Sequence, residues 1–245
     1  MSVALKEIQQ VLIAQAQKES KSFFEKIIPG KQKIYGVKTP ELNKIVKQYK
    51  SGSFILAKEL WNAGSYEERI IAIKIMEKKG KEDPARLLTL FQQFSKDIDN
   101  WAVCDGLGMQ FLQSIVKTHH KEIFAIANKF NSSKNSWQRR LSLVMVEWYT
   151  RNKAFHPAIK LLVNNLENDE EYYVKKQSCG LIKTLQKENE KRMSQKCLKF
   201  NLFAKAQRLI FNCYAYCVLA SLRDFFTFDT ASFLLYYTDC QEFKN

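Results

Sequence analysis

Two short segments of this sequence combine residue types that could do chemistry. In the first, Trp101 and Asp105 are four positions apart, so a helix would place them on one face. That face would present a flat aromatic ring beside a carboxylate. In the second, Arg139 and Arg140 lie near the start of a segment that is otherwise apolar. An arginine there can grip a phosphate through two parallel hydrogen bonds.

A third segment, Glu170–Lys176, ends in two adjacent lysines, and Lys183 follows two helical turns later. Each segment also has a structural explanation. A Trp on a helix face is more often part of the core, an Asp one turn into a helix usually interacts with the helix dipole, and an Arg pair is commonly solvated. The three segments together, in this order and spacing, favour a functional site.

The elements that must position these residues are helices. The chain of 245 residues contains 8 Gly and 4 Pro, too few breakers for an all-β fold, which needs frequent turns. Apolar residues recur at helical spacing in about ten segments. The predicted helices are Val3–Gln17, one from Thr39 through Tyr49, Phe54–Trp61, one beginning at Ser65, one beginning at Asp83, one through Trp101 and Asp105, Glu122–Lys129, Ser136–Thr150, Pro157–Leu166 and Glu170–Gln186.

Helix pairs that recur at roughly 35–45 residues are typical of HEAT or armadillo-like repeats. We therefore predict an all-α, HEAT-like helical repeat solenoid, with a compact helical bundle as the alternative. Solenoids of this kind offer a long binding surface. We assign residues 1–195 to this domain.

The segment 196–245 differs in composition, because charge becomes sparse and Phe, Tyr and Cys are common. Its run from Leu209 to Leu222 is nearly all apolar, but it is short for a membrane span, which needs about 20 residues. The ordinary interpretation is one or two buried helices that close the solenoid. A second interpretation is a segment unrelated to the rest, as an altered reading frame would produce.

The formal net charge of +14 and the pI of about 9.4 favour polyanionic partners. Nucleic acid is the leading candidate, an anionic membrane surface is second, and a solvated lysine-rich surface is the plain alternative. The six cysteines form no C-x-x-C pair and no zinc-ligand pattern, so we expect small core residues in a reducing compartment. The first ten residues do not resemble a signal peptide, and we expect an intracellular protein.

Five segments together resemble the AlkD family of HEAT-like alkylpurine DNA glycosylases, over roughly residues 1–190. Two of them carry the proposed chemistry: one matches the catalytic W-x-x-x-D element, and one carries the active-site arginine at Arg140. The other three resemble the family's entry to its repeats, its next repeat and the lead into its last catalytic helix. The segments are Ile34–Leu42, Glu59–Trp61 with Tyr66–Arg69, Asn100–Asp105, Trp137–Arg140 and Glu171–Lys176.

The sequence departs from the family pattern in the last catalytic helix. The family carries a second active-site Trp there, with an Arg three residues later, whereas this chain has Gly180 and Lys183 at the matching positions. Lys183 can still contact a phosphate, but Gly180 offers no aromatic surface. Part of the aromatic cradle that the resemblance implies is therefore absent.

The resemblance implies a DNA glycosylase that removes positively charged N3- or N7-alkylated purines from duplex DNA. Asp105, Trp101 and Arg140 would form the catalytic group, and no metal or cofactor is needed. We expect a monomer that acts on DNA and not on a membrane. The alternatives are a non-catalytic HEAT-repeat protein that binds nucleic acid and a protein-interaction scaffold. The expected additional phosphate contacts are Lys38, Arg139, Lys175, Lys176 and Lys183.

Overall fold

The computed structural model describes residues 2–30, 32–49 and 53–188, and this part of the chain is all-helical. The prediction of an all-α helical repeat fold is therefore confirmed. The helices are α1 (Val3–Ala14), α2 (Lys18–Ile27), α3 (Thr39–Gln48), α4 (Phe54–Ala63), α5 (Tyr66–Lys79), α6 (Pro84–Phe94), α7 (Trp101–Gly106), α8 (His120–Asn131), α9 (Ser136–Val144), α10 (His156–Asn165) and α11 (172–188).

All of these helices except α2 stack in two layers within residues 2–188. The front layer consists of α3, α5, α7, α9 and α11, in which successive members pack side by side. The back layer consists of α1, α4, α6, α8 and α10, and its members pack in the same way. Pairs such as α4 with α5 and α8 with α9 join the layers across one apolar core. All three candidate catalytic residues belong to the front layer.

Local sequence signals set most helix starts. Ser65 caps α5 in a reciprocal arrangement: its hydroxyl accepts the Glu68 N–H at 3.2 Å, and the Glu68 carboxylate accepts the Ser65 N–H at 2.9 Å. Asp83 caps α6, and Pro84 supplies the fixed backbone angle suited to a first helical position. These caps satisfy N–H groups that have no partner within the helix itself.

The loop that leads into α3 is held by a buried carboxylate. Glu67, fully buried in the first turn of α5, accepts the backbone N–H groups of Tyr35, Gly36 and Val37 at 3.0, 2.7 and 3.2 Å. Gly36 has φ of 88°, and a Cβ atom there would lie 2.6 Å from the carbonyl oxygen of Gln17. Only glycine fits this turn without displacing the backbone of the neighbouring segment.

The structure corrects three details of the sequence analysis. Helix α2 was not predicted, because it has no side-chain cap and only a few apolar residues. The predicted helix Ser136–Thr150 ends at Val144, and a turn and a short 3₁₀ segment follow it. Cys179 is exposed and is therefore not a core residue, whereas Cys104 is buried as expected. The predictions for the segment 196–245 lie outside the described residues.

None of the helices that the structure describes is both long enough and apolar enough to cross a membrane.

Candidate functional site

Helix α7 is short, and its two ends are set by specific contacts. Asn100, which is fully buried, caps the start of the helix by accepting the Val103 N–H at 2.9 Å. Beyond Gly106 the helix widens into a π-helical turn, Leu107–Phe111. A Cβ atom on Gly108 would lie 2.7 Å from Val144 Cγ1, so glycine at this position permits the close approach of α9. This packing brings Asp105 within reach of the side chains of α9.

Trp101 is the first residue of α7 and is half-buried. Its indole N–H donates to the carbonyl oxygen of Ile27 at 3.0 Å, and this oxygen belongs to the last residue of α2. The helix that the sequence analysis missed therefore fixes the orientation of the candidate aromatic residue. Trp101 and Asp105 lie one turn apart, as their spacing predicted.

Asp105 and Arg140 form an ion pair, with Arg140 Nη2 2.6 Å from Asp105 Oδ1. The side chain of Arg140 is 6% exposed, whereas that of Asp105 is 39% exposed. Arg140 Nη1 also donates to the carbonyl oxygen of Tyr173 at 2.7 Å. Its Nε atom is buried and has no hydrogen-bond partner among the described residues. The buried Arg140 guanidinium therefore holds the Asp105 carboxylate, which is partly exposed to solvent.

Four effects act on the pKa of Asp105. Burial raises it, and this effect exceeds the opposing effects of the Arg140 charge and hydrogen bond and of the positive charge of Lys176. The net result is a pKa above the ordinary carboxyl value. A carboxyl group of this kind is held in a partly desolvated environment, where an ionised Asp105 interacts more strongly with a nearby cation than it would in water.

Helix α11 forms the other wall of the site. Its Tyr173 ring stacks on Trp137 of α9, with ring centroids 5.2 Å apart. Lys176 follows one turn later and contributes positive charge near Asp105. Gly180 comes seven residues after Tyr173 and so lies on the same side of the helix. This side of α11 therefore carries, in order, the Tyr173 ring, the Lys176 ammonium group and the Gly180 backbone without a side chain.

The four candidate phosphate-binding lysines are all exposed, but they do not share one surface. Lys176 acts electrostatically on Asp105, whereas its neighbour Lys175 acts on Asp169, because adjacent helical residues point about 100° apart. Lys183 lies two turns beyond Lys176. Lys38 directly precedes α3, at the other end of the front layer, and its side chain makes no capping hydrogen bond.

The structure places Arg139 differently from its neighbour Arg140. The Arg139 guanidinium pairs with the carboxylate of Asp169, and its Nη1 atom donates to the carbonyl oxygens of Ser133 and Lys134 at 3.0 and 3.2 Å. The expectation from sequence was that Arg139 would contact a DNA phosphate. In the structure all three of its nitrogen atoms donate within the protein.

Gly180 leaves open space on α11. A Cβ atom at this position would meet nothing within 4 Å, and the residue is exposed. Position 180 lies inside α11, and the Thr184 hydroxyl donates to the Gly180 carbonyl at 3.0 Å. The absence of a side chain at position 180 is not required by packing.

Sequence reasoning missed two contributors to the site. The carbonyl of Ile27 and the carboxylate of Asp169 both lie outside the motifs. The available signal for α2 was two apolar pairs, Phe23 with Ile27 and Phe24 with Ile28. The members of each pair are four residues apart, and this spacing places them on one face of a helix. In the part of the chain that the structure describes, no group of three or more His, Cys, Asp or Glu residues could hold a metal ion.

The fold and the site define a class of protein: a helical repeat protein whose front layer carries a carboxylate, an arginine and exposed lysines. The family model of DNA alkylation repair enzymes matches residues 8–195. The chain belongs to this family. A search among curated proteins found no match.

Proposed function

We propose that this protein is a DNA glycosylase that hydrolyses the N-glycosidic bond of positively charged N3- or N7-alkylated purines in duplex DNA. The observation that carries the proposal is the solvent-facing Asp105 carboxylate, held against the buried Arg140 guanidinium and one helical turn from Trp101. Membership in the family of DNA alkylation repair enzymes supports a role in alkylation repair.

The chemistry suits a site that offers a carboxylate. In an alkylated purine with a positive charge, the bond from C1′ to the base nitrogen breaks and its electron pair leaves with the base, which becomes neutral. The cationic sugar then accepts a water oxygen at C1′, and the water loses a proton. Asp105 would stabilise the sugar cation and accept that proton. Trp101 would pack against the deoxyribose and favour positive charge beside its ring.

Arg140 would hold a phosphate that flanks the damaged nucleotide. Its buried Nε–H has no hydrogen-bond partner in the protein, so it can donate to an additional oxygen atom while Nη1 keeps its bond to the Tyr173 carbonyl. A phosphate that pairs with the Arg140 guanidinium would also weaken the ion pair between Arg140 and Asp105. The Asp105 carboxylate would then interact more strongly with the sugar cation. Binding and activation of the carboxylate would thus be linked.

The exposed lysines would bind other phosphates. The net charge of +14 favours association with duplex DNA, and each phosphate contact makes the affinity depend more steeply on salt. Lys176 and Lys183, two turns apart on α11, would contact phosphates on the Asp105 side, whereas Lys38 and Lys175 would act at its periphery. We propose a monomer that acts on DNA inside the cell.

A second candidate function is a non-catalytic module that binds nucleic acid. The observation that favours it is Gly180, where the position matching a family Trp has neither a side chain nor a neighbour to replace one. A protein-interaction scaffold is the remaining alternative, because helical repeats often serve that purpose.

The deciding experiment measures release of free base from a duplex that contains one 7-methylguanine. The matched control is Asp105→Asn, which keeps an oxygen that can accept from Arg140. We expect release by the wild type and a loss on the order of 100-fold or more in the control. Absence of release with salt-sensitive DNA binding would favour the non-catalytic module. Absence of both would favour the scaffold.

A further inference from the structure

Arg139 and Asp169 form the most fully satisfied ion pair of the described front layer. The Asp169 side chain is 5% exposed and that of Arg139 is 19% exposed. Arg139 Nη2 lies 3.1 Å from Asp169 Oδ1, and Arg139 Nε donates to the other carboxylate oxygen. A two-point contact of this kind fixes direction as well as distance.

Each partner of this pair also binds the backbone at a helix start. Arg139 Nη1 donates to the carbonyls of Ser133 and Lys134, in the turn before α9. Asp169 Oδ1 accepts the Glu171 N–H at 3.0 Å, in the turn before α11. Burial alone would raise the pKa of Asp169, but the hydrogen bonds from Arg139 and Glu171 hold it below the ordinary value. The pair therefore connects the starts of two helices and stays charged.

The same two helix starts carry the walls of the candidate site. Arg140 on α9 reaches both the Tyr173 carbonyl on α11 and the Asp105 carboxylate on α7. The Trp137 and Tyr173 rings stack across the same junction. A shift of α11 relative to α9 would change the anchor of Arg140 and thereby its distance to Asp105.

From these contacts we infer that Arg139 and Asp169 are positioning residues, which set Arg140 against Asp105 and do not bind DNA themselves. This inference rests on the proposed glycosylase function for its kinetic consequences. A phosphate-binding role for Arg139 would predict a different change in the DNA affinity of one variant, Asp169→Asn. If Asp169 merely restrained a phosphate-binding arginine, Asp169→Asn would free Arg139 and tighten DNA binding.

The experiment compares Arg139→Gln, Asp169→Asn and the conservative Arg139→Lys in the whole chain. Lys160→Gln, which removes an exposed charge from α10 in the back layer, is the matched control for charge loss. Measured quantities are the single-turnover rate of 7-methylguanine release and the slope of log Kd against log salt on the same duplex. Circular dichroism selects the variants that fold, and Arg139→Lys is the mildest of the three.

We expect the rate to fall about 10- to 100-fold in Arg139→Gln and in Asp169→Asn, because a displacement of catalytic groups by about 1 Å has effects of this size. Arg139→Lys should recover part of the rate. The double variant should be no slower than either single one. The salt slope of Arg139→Gln should equal that of Lys160→Gln. A slope smaller by about 0.9 than in that control would assign Arg139 to a phosphate and overturn the inference.

A readout that is independent of catalysis separates this inference from the proposed function. The pKa of the Asp105 carboxyl can be followed by carbon NMR in the wild type and in Asp169→Asn, or in Arg139→Lys if the first variant does not fold. Loss of the Arg140 contact should raise that pKa further, since Arg140 lowers it. An unchanged Asp105 pKa would overturn the positioning role. A wild type that releases no base would refute the glycosylase proposal alone.

Discussion

Replacing Gly180 with Trp should restore an aromatic surface to the site at little structural cost. A Cβ atom at this position meets nothing within 4 Å and the residue is exposed, so a side chain can begin here without displacing a neighbour. A ring that faces a cationic sugar contributes about 0.5–2 kcal/mol. This corresponds to a rate of base release higher by about 2- to 30-fold. Glycine inside a helix also costs roughly 0.5–1 kcal/mol relative to alanine, so stability should not fall.

The assay is single-turnover release of 7-methylguanine, with Gly180→Ala as the matched control. Alanine supplies the helix propensity without the ring, so it should raise Tm by about 1–4 °C and leave the rate unchanged. Only Gly180→Trp should accelerate release. Equal rates for the two variants would refute the reasoning that the missing aromatic surface limits catalysis. A slower Gly180→Trp enzyme would show that the open space itself is used by the substrate.

Three more predictions concern charged side chains. The rate of base release should fall on acidification, with a midpoint above the ordinary carboxyl value of 3.8, because burial raises the pKa of Asp105 and only its ionised form acts. A pH-independent rate would contradict this role. Lys183→Gln should weaken DNA binding and reduce the salt slope by about 0.9, and a slope matching that of Lys160→Gln would exclude a phosphate contact. Glu67→Ala should lower the free energy of unfolding, measured in urea, by on the order of 3 kcal/mol or more, because three buried N–H groups lose their acceptor. A decrease below about 1 kcal/mol would mean that water replaces the carboxylate.

Much of the fold could be predicted because capping residues in the local sequence mark several helix starts. Ser65 and Asp83 cap helices in the structure, at the two starts that the sequence predicted. Helix α2 shows the limit of this reasoning. It begins after Gln17, which makes no side-chain cap, and Ser20 is its only buried residue. A helix without a capping side chain and with few apolar residues gives only a weak local signal.

The candidate site was predicted less completely than the fold. The spacing of Trp101 and Asp105 predicted that they share a helix face, and they do. No sequence pattern could distinguish the roles of Arg139 and Arg140, because they are adjacent residues of one type. The rotation of about 100° between them turns one toward Asp169 and the other toward Asp105. Their partners lie in different parts of the fold, Asp169 in the turn before α11 and Asp105 on α7, so only the packed structure separates an anchor from a candidate catalytic group.

The ion pair between Asp105 and Arg140 is compatible with a catalytic carboxylate. A half-buried carboxylate without a counterion would take up a proton more readily, and a protonated Asp105 could not stabilise a cation. Arg140 therefore keeps the carboxylate available while no DNA is bound. On duplex DNA, the phosphates would supply the negative charge that Arg140 needs, and the cationic nucleotide would supply the positive charge that Asp105 needs. The exchange conserves the number of ion pairs, which is why a site with two opposite charges suits a substrate that carries both.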